Sequence, residues 1–351
     1  MINIKKRIKA FENLSEYLIN SVSDETNKDF KSGNIFYDAI ILASQNNSWF
    51  TIENIKYAIL SLGNSIKSEN INEWIKNYNN LLETRNKSSK VAVIMAGNIP
   101  LVGFHDFFYV LMSGNHVVVK LSSDDKFLLP TIANKLIEIE PEFAEYISFV
   151  DNLKSGYDAV IATGSNNSSR YFEFYFKNVP HIIRQNRNSI AVLSGKETSE
   201  ELADLGNDIF MHYGKGCRNV SKIFLPDNYF IERLIHSLSG FAYVLNNSKY
   251  NNNYSYYKSI YIINQLPFYD NGFVIFKEDE ALSTPVSVIH FQHYHSSEEI
   301  NTYINTNKEN IQCVVSNKKN LPNAIAFGNT QNPGLNDYAD DVDVMKFLLN
   351  I

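Results

Sequence analysis

Residues 90–120 read KVAVIMAGNIPLVGFHDFFYVLMSGNHVVVK, and the pattern of this segment is the strongest indication of the fold class. Val91–Met95 and His116–Lys120 are short apolar runs without polar alternation, which predicts two strands buried on both faces. Between them lie a turn at Ala96–Pro100 and a helical stretch at Leu101–Met112. A buried strand, a helix and a second buried strand in this order predict parallel strands joined by a crossover helix.

The same alternation continues along the chain and predicts an α/β fold with a doubly wound parallel sheet. The further predicted elements of this sheet are a helix at Phe127–Ile139, strands at Tyr146–Val150 and Ala159–Ala162, and a helix at Ser168–Phe176. Apolar residues recur at helical spacing in residues 1–88, which predicts an N-terminal helical layer. We expect three regions: 1–186 as helical layer plus cofactor domain, 187–330 as a second α/β domain that carries the catalytic residue, and 331–351 as a tail.

Predicted elements of the second domain are helices at Ser199–Tyr213 and Glu298–Thr306 and strands at Lys222–Leu225, Phe273–Phe276, Val286–Phe291 and Gln312–Val315. Thr198 suits the N-cap of the first of these helices.

Composition limits the class of protein. The 351 residues carry a net charge of −6 without a basic stripe, which argues against a nucleic-acid partner. Two distant cysteines form no disulfide framework and suit a reducing cytoplasm. No apolar run reaches the roughly 20 residues of a membrane span, and the basic, amphipathic start lacks the features of a signal peptide.

Cys217 is the candidate nucleophile. It stands in Gly214-Lys215-Gly216-Cys217-Arg218, directly after a predicted helix. Glycines let the backbone approach a substrate, and the flanking Lys215 and Arg218 could stabilise a thiolate. The alternative is a buried cysteine that acts as a small apolar residue. His212 lies five residues earlier, but helical periodicity directs it away from Cys217 and disfavours a Cys–His dyad.

Three turns at the carboxyl ends of predicted strands suit a ligand, because ligands of open α/β sheets bind there. Their candidate residues are Ala96, Gly97 and Asn98; Lys120, Ser122 and Ser123; and Thr163, Gly164 and Ser165. An Asn amide can donate to an oxyanion, a cation and hydroxyls suit a ribose or phosphate, and a helix N-terminus can receive a pyrophosphate. Each also has an ordinary explanation as a turn former or an exposed strand end.

The other histidines near the C-terminal half and the second cysteine are not expected to be catalytic or to bind a metal. His290, His293 and His295 stand close together without a matching carboxylate cluster, so we expect a surface run and no metal site. Cys313 lies inside an apolar run, which predicts a core position.

The order of these motifs resembles the aldehyde dehydrogenase superfamily. Asn98 and Pro100 match its Asn-Phe-Pro, Gly114–Lys120 matches its Gly-Asn-Thr-Val-Val-Val-Lys, and Gly216-Cys217 matches its cysteine motif. The resemblance implies that Asn98 lines the oxyanion hole and that Lys120 binds the adenosine ribose. It also implies that the Thr163–Ser165 turn lies under the pyrophosphate and that Glu280 binds the nicotinamide ribose.

Two departures narrow the resemblance. Aldehyde dehydrogenases carry Glu-Leu-Gly-Gly, whose Glu activates the hydrolytic water, where this chain has Ile182-Ile183-Arg184-Gln185-Asn186. No carboxylate lies between Glu173 and Glu197, and Thr84–Lys90 leaves little room for a long oligomerisation hairpin. Both departures resemble the LuxC-like acyl-CoA reductases.

The resemblance implies reduction of an acyl thioester, acyl-CoA or carrier-bound, to an aldehyde through an acyl-cysteine. Ser123 stands where many NAD-preferring relatives carry Glu, so the resemblance implies NADPH, with NADH left open. An acyl-transferring enzyme and a second copy of the chain are the expected partners. The alternatives are an NAD(P)-dependent aldehyde dehydrogenase, an acyl-phosphate reductase and a binding protein without catalysis.

Overall fold

The computed structural model describes residues 1–23, 34–85, 87–317, 321 and 323–351. Residues 24–33 and 86 of the predicted helical layer therefore lie outside the described residues. The chain divides into two units, one formed by residues 1–186 and 332–351 and the other by residues 187–331.

An all-parallel sheet lies at the centre of the first unit. Its strands are β1 (Lys90–Ile94), β2 (His116–Lys120), β3 (Ile147–Phe149), β4 (Ala159–Thr163) and β5 (His181–Arg184). The strand order is β3-β2-β1-β4-β5. The direction of winding reverses between β1 and β4, and such a switch point leaves a crevice for ligands at the carboxyl ends of the strands. The predicted doubly wound parallel sheet is confirmed.

The helices of this unit surround the sheet. They are α1 (Ile4–Ser23), α2 (Ile35–Asn46), α3 (Ile52–Ser65), α4 (Ser68–Ile75), α5 (Asn79–Thr84), α6 (Phe104–Met112), α7 (Leu128–Ile139) and α8 (Asn166–Phe176), with 3₁₀ turns at Lys76–Tyr78 and Pro141–Glu145. Phe11 of α1 packs edge-on against Phe108 of α6, with ring centroids 4.8 Å apart. The predicted helical layer thus shares one hydrophobic core with the sheet.

The second unit holds a six-stranded sheet of order β11-β6-β7-β10-β9-β8. Its strands are β6 (Asn188–Val192), β7 (Val220–Pro226), β8 (Tyr269–Asp270), β9 (Ile275–Glu278), β10 (Val288–Tyr294) and β11 (Ile311–Val315). Its helices are α9 (Ser199–Phe210), α10 (Ile231–Ser237), α11 (Ser248–Ile263) and α12 (Ser297–Thr306), with 3₁₀ turns at Met211–Gly214 and Ser239–Asn246. β8 runs antiparallel to β9, and the other pairs are parallel.

Thr198 caps α9 as predicted. Its hydroxyl accepts the backbone N–H of Glu201, and the Glu201 carboxylate accepts the N–H of Thr198. This reciprocal pair satisfies two N–H groups that the first turn of a helix leaves open.

The C-terminal residues 332–351 pack within the first unit rather than extending from it as a tail. They contain a 3₁₀ turn at Ala339–Asp341 and the helix α13 (Val344–Leu349). The buried Asn115 accepts the N–H of Ser89 and donates to the carbonyl of Leu348, at 2.9 and 3.1 Å. The Asn of the Gly-Asn-x-Val-Val-Val-Lys motif is therefore a structural residue at the start of β2.

Among the described helices, none combines the length and the apolar character that a bilayer-spanning segment requires.

Candidate active site

The candidate residues of the first unit meet at one edge of its sheet. Ile94 of β1 is level with Lys120 of β2 and Ala162 of β4. Lys120 and Thr163 are the last residues of β2 and β4. The segments that follow the three strands contain the other candidates, which are Ala96, Gly97 and Asn98; Ser122 and Ser123; and Gly164 and Ser165. The structure therefore brings these nine residues to the carboxyl ends of adjacent strands, around the switch point.

Two of these turns are packed directly against each other. A Cβ atom on Gly97 would lie 2.5 Å from the Oγ of Ser122, so only glycine fits at this position. The Ser122 hydroxyl also accepts the backbone N–H of Asp124 at 3.2 Å. The turn after β1 and the turn after β2 are therefore in close van der Waals contact.

A buried carboxyl group fixes the end of the turn that carries Asn98. Leu101 has a left-handed backbone (φ 58°), which costs a non-glycine residue about 1–2 kcal/mol. Its N–H donates to Oδ2 of Asp125 at 2.7 Å. Burial raises the pKa of Asp125 to about 6, and this N–H bond opposes the rise. The predicted helix at Leu101 begins only at Phe104, because the left-handed residue interrupts it.

The third turn starts α8. Ser165 is the N-cap residue, and its hydroxyl accepts the N–H of Ser168 at 3.3 Å. A Cβ on Gly164 would lie 2.9 Å from both Ser168 and the ring of Phe172, so glycine permits the close approach of this turn to the helix. The N-terminal end of α8 provides backbone N–H groups and a partial positive charge at the switch point.

An ion pair that the sequence did not reveal lies beside this edge. Arg184, the last residue of β5, forms a two-pronged contact with Asp106 of α6, and both side chains are buried. Burial lowers the pKa of Arg184, but the Asp106 carboxylate outweighs it, so the pKa is raised. Arg184 lies in Ile182–Asn186, the stretch in which the resemblance to aldehyde dehydrogenases led us to expect no hydrolytic glutamate. A paired cation therefore occupies this part of the chain.

Cys217 lies in the second unit, in the turn that joins the end of α9 to β7. Its side chain is partly exposed, and no disulfide joins it to Cys313. The buried Asn219 organises the turn, because its side-chain oxygen accepts the N–H of Gly216 at 2.8 Å. Its amide nitrogen donates to the carbonyls of Asp208 and Met211 at 3.0 and 2.9 Å, which ties the turn to the end of α9.

The chain reaches this turn through three consecutive left-handed residues, His212, Tyr213 and Gly214, with φ of 52°, 59° and 72°. The predicted helix through Tyr213 is wrong at its end, since α9 stops at Phe210. Burial lowers the pKa of His212 to about 4, so His212 is neutral at pH 7. A neutral ring supplies no positive charge to a thiolate.

Arg218, the cation that follows Cys217 in the sequence, contacts the second cysteine of the chain. Arg218 Nη1 lies 3.5 Å from the sulfur of Cys313, which is buried on β11 as predicted. Arg218 was expected to stabilise a Cys217 thiolate. In the structure its guanidinium also contacts the Cys313 sulfur, so the two sulfurs compete for this cation. The backbone of Cys217 is held from the other side, because Ser189 donates to its carbonyl at 2.9 Å.

Glu280 is exposed, in the loop that follows β9. The interpretation of His290 as part of a surface run is wrong: His290 is buried in β10, and its Nδ1 donates to the carbonyl of Ala281 at 2.8 Å. His293 is partly exposed and His295 is exposed. Within the described residues, no group of three His, Cys, Asp or Glu side chains is arranged to hold a metal ion.

Two carboxylates of the second unit are occupied by structural bonds. Glu197 accepts the Ser194 hydroxyl at 2.6 Å and the N–H of Gly195 at 3.0 Å. Asp208 is buried and accepts the N–H groups of Gly328 and Thr330 at 2.7 and 3.0 Å. Burial nevertheless raises the pKa of Asp208.

Comparison with solved structures identifies the fold. Aldehyde dehydrogenase 21 from Physcomitrella patens, solved with succinate, is similar with a TM-score of 0.67 and 10% identity, covering 99% of this chain and 84% of that one. A Mycobacterium tuberculosis aldehyde dehydrogenase complexed with NAD⁺ gives a TM-score of 0.60 and 13% identity, covering 93% and 79%. An NADP-dependent enzyme from E. coli gives 0.65 and 12%, covering 94% and 76%. The predicted aldehyde-dehydrogenase-like fold is confirmed.

Comparison with protein families is more specific. No curated protein sequence matched the chain. The family described as acyl-CoA reductase (LuxC) matches residues 37–254, which is more than half of the chain and includes the Cys217 turn. The predicted resemblance is confirmed, and the chain belongs to the LuxC acyl-CoA reductase family.

Proposed function

We propose that this chain reduces an acyl thioester, acyl-CoA or a carrier-bound acyl group, to the aldehyde through an acyl-Cys217 intermediate, with NADPH as the reductant. NADH remains a second possible reductant. The family supports acyl reductase chemistry as a class. The observation that carries the finer proposal is the partly exposed Cys217 in a turn that Asn219 holds rigid.

The distribution and bonding of the carboxylates favour hydride transfer to an acyl-cysteine over its hydrolysis. A hydrolytic aldehyde dehydrogenase needs a base to activate water, and general-base assistance contributes about 10²–10⁴-fold in rate. Residues 174–196 contain no carboxylate, and Arg184 in that stretch is a cation paired with Asp106. Glu197 and Asp208 are engaged by backbone N–H groups. With their oxygens bound in this way, Glu197 and Asp208 are poor general bases for the hydrolysis of an acyl-cysteine.

The acidic run at residues 337–343 is the other candidate source of a base for an aldehyde dehydrogenase. Asp343 caps α13 by accepting the N–H of Lys346 at 2.8 Å, and it also accepts the Tyr78 hydroxyl at 3.1 Å. Asp337 accepts the N–H of Gly334 at 2.7 Å. These bonds occupy two of the four carboxylates of this run, which weakens the alternative of oxidation to the acid.

The edge of the first sheet fits a nicotinamide dinucleotide. Lys120 ends β2, the hydroxyls of Ser122 and Ser123 follow it, and the α8 N-terminus lies across the switch point after Thr163. A cation and hydroxyls suit an adenosine ribose, and a helix N-terminus suits a pyrophosphate. Ser123 is neutral and exposed, so it presents no negative charge to a 2′-phosphate. The bound cofactor would supply the hydride.

The chain's own residues would act as follows. The Cys217 thiolate attacks the acyl carbonyl, a carbon–sulfur bond forms, and the bond to the CoA or carrier sulfur breaks with departure of that thiolate. The Asn98 amide and a backbone N–H near Cys217 donate to the carbonyl oxygen as it becomes negative. After hydride addition to the acyl carbon, the bond to Cys217 breaks, releasing the aldehyde and the thiolate. Glu280 is the proposed carboxylate for the nicotinamide ribose.

The decisive experiment is intact-protein mass spectrometry after incubation with acyl-CoAs of graded chain length. We expect one acyl adduct per chain together with free CoA, and peptide mapping should locate the adduct at Cys217. Cys217→Ala should abolish both the adduct and acyl-CoA-dependent NADPH oxidation. Cys313→Ala is the matched control, because Cys313 is the second cysteine of the chain and is buried; it should keep both. Reduction that persists in Cys217→Ala would overturn the assignment.

The same protein separates the alternatives. An aldehyde dehydrogenase would reduce NAD(P)⁺ with an aldehyde and leave acyl-CoA untouched. An acyl-phosphate reductase would react with an acyl phosphate and release phosphate rather than CoA. A binding protein would show no adduct, and its Cys217 would alkylate slowly at neutral pH.

A further inference from the structure

Side chains of two neighbouring strands bind the first four carbonyl oxygens of the loop that carries Glu280. Lys222 Nζ donates to the carbonyls of Asp279 and Glu280 at 3.1 and 2.7 Å. His290 Nδ1 donates to the carbonyl of Ala281, and the Ser221 hydroxyl donates to the carbonyl of Leu282, both at 2.8 Å. Four consecutive carbonyl oxygens, those of residues 279–282, are thus bound by the two neighbouring strands β7 and β10.

Lys222 is the unusual member of this set, because its side chain is fully buried in β7. Burying an ammonium group is costly unless its donors are satisfied. The two carbonyls satisfy donors, and the rings of Phe224 and Tyr303 lie 5.2 and 5.3 Å from Nζ, where their π faces favour a cation. Burial lowers the pKa of Lys222 to about 8, against the raising effect of Asp279 and Glu280.

The two carboxylates of the loop differ, because that of Asp279 is bound within the protein and that of Glu280 is exposed. The Asp279 carboxylate contacts Lys277 Nζ and accepts the N–H of Ala281 at 2.9 Å. The Glu280 side chain is exposed. The bonds from Ser221, Lys222 and His290 therefore fix the loop through its backbone and leave the Glu280 carboxylate available to a ligand.

The same strand also fixes the nucleophile turn. β7 begins at Val220, directly after Asn219, and its second and third residues are Ser221 and Lys222. A strand in a sheet is a rigid element, so one strand sets both the Cys217 turn and the Glu280 loop.

We infer that Lys222 is a positioning residue, which holds the residue 279–282 loop so that Glu280 is presented to the nicotinamide ribose at a fixed distance from the Cys217 turn. The inference rests on the proposed function. Lys222 acts through Glu280 and does not itself touch the substrate or the cofactor. A lysine that merely stabilised the fold would affect the yield of folded protein but not the affinity for the cofactor.

The first test needs no cofactor. Lys222→Met keeps an apolar chain of similar length but removes the charge and the donors, Lys222→Arg keeps the donors, and Lys196→Met is the control at an exposed lysine of the same unit. Hydrogen exchange should quicken about fivefold or more in the peptide that spans residues 279–282 of Lys222→Met. Exchange in this peptide should be unchanged in Lys196→Met. Exchange in the other strands of the six-stranded sheet should be unchanged in Lys222→Met. Unaltered exchange in that peptide would overturn the inference.

The second test measures NADPH directly, as the Kd from quenching of protein fluorescence and as KM against kcat. Lys222→Met should weaken NADPH binding about tenfold, and Glu280→Gln should do likewise. The double variant should be no weaker than either single one, because the two residues act in series. Multiplied effects would overturn the inference. If Lys222→Met does not fold, Lys222→Arg carries the same comparison, with an intermediate loss expected.

The two tests keep this inference separate from the proposed function. If the unsubstituted chain binds NADPH but reduces no acyl thioester, the proposed reaction is refuted. The exchange rates and the Kd for NADPH then still test whether Lys222 holds the residue 279–282 loop. If it reduces thioesters and neither exchange nor Kd responds to Lys222→Met, the reaction stands and the role of Lys222 is refuted.

Discussion

Asp125 gives a prediction whose size follows from the structure. Its carboxyl group is 7% exposed and has one N–H donor, that of Leu101. Burial raises its pKa from 3.8 to about 6. The difference of about two pH units corresponds to about 3 kcal/mol between the folded and the unfolded chain.

The sign of the effect is fixed by the direction of this change. The folded chain holds the proton more tightly than the unfolded chain, so Asp125 contributes most to the free energy of unfolding below pH 3.8. The contribution is lost as the pH rises through about 6. Between roughly pH 4.5 and pH 7 the loss amounts to about 2 kcal/mol. Asp125→Asn removes the titration while keeping an oxygen that can accept the N–H of Leu101.

The assay is urea unfolding followed by tryptophan fluorescence. The chain has two tryptophans, Trp49 and Trp74, and both belong to the first unit together with Asp125. We expect Asp125→Asn to gain about 2 kcal/mol relative to the unsubstituted chain between pH 4.5 and pH 7. Asp124→Asn, an exposed neighbour, should show a pH-independent difference. A pH-independent difference for Asp125→Asn as well would refute the reasoning.

Three further outcomes follow from the site. Asp106→Asn leaves Arg184 buried without its carboxylate and should lower the free energy of unfolding of the first unit by about 3–5 kcal/mol, measured by the same fluorescence; a loss below about 1 kcal/mol would contradict a buried pair. Asn219→Ala removes the bonds that close the nucleophile turn and should slow acylation of Cys217 about tenfold in single-turnover mass spectrometry, and an unchanged rate would show that the turn holds itself. Ser123→Glu should raise KM for NADPH about tenfold and leave KM for NADH nearly unchanged, because a carboxylate repels a 2′-phosphate; equal effects on both would remove Ser123 from the cofactor site.

The local pattern of apolar residues was enough to predict those elements in which this pattern is regular. The strand at His116–Lys120 was predicted to the residue, because three consecutive valines favour a buried strand and a Gly-Asn turn precedes them. The helix at Ser248–Ile263 was missed, since its tyrosines and asparagines show no apolar periodicity. The end of α9 was placed too late, because left-handed residues such as His212 and Tyr213 leave no mark on the hydrophobic pattern.

The partners of charged side chains could not be predicted, because a sequence does not say which distant residue a buried charge will meet. Two signals were nevertheless present. Asp106 is the one acidic residue in the apolar helix FHDFFYVLM, and Lys222 interrupts the apolar strand VSKIFLP. A charge inside an otherwise apolar element predicts a buried polar partner, which is Arg184 for Asp106 and the carbonyls of the residue 279–282 loop for Lys222. The order of the turn motifs supplied the family, which no single turn would have done.

The second unit is inserted within the sequence of the first, and this arrangement has a consequence for synthesis. A nascent chain emerges with its N-terminus first, so residues 187–331 are available to fold before residues 332–351 have appeared. The first unit must wait for its last pieces: Tyr338 accepts the indole N–H of Trp74 at 2.8 Å, and the Leu335 carbonyl accepts the hydroxyl of Tyr109 at 3.0 Å. A premature stop near residue 335 would thus leave the segment 187–331 complete while it removes bonds that close the core of the first unit.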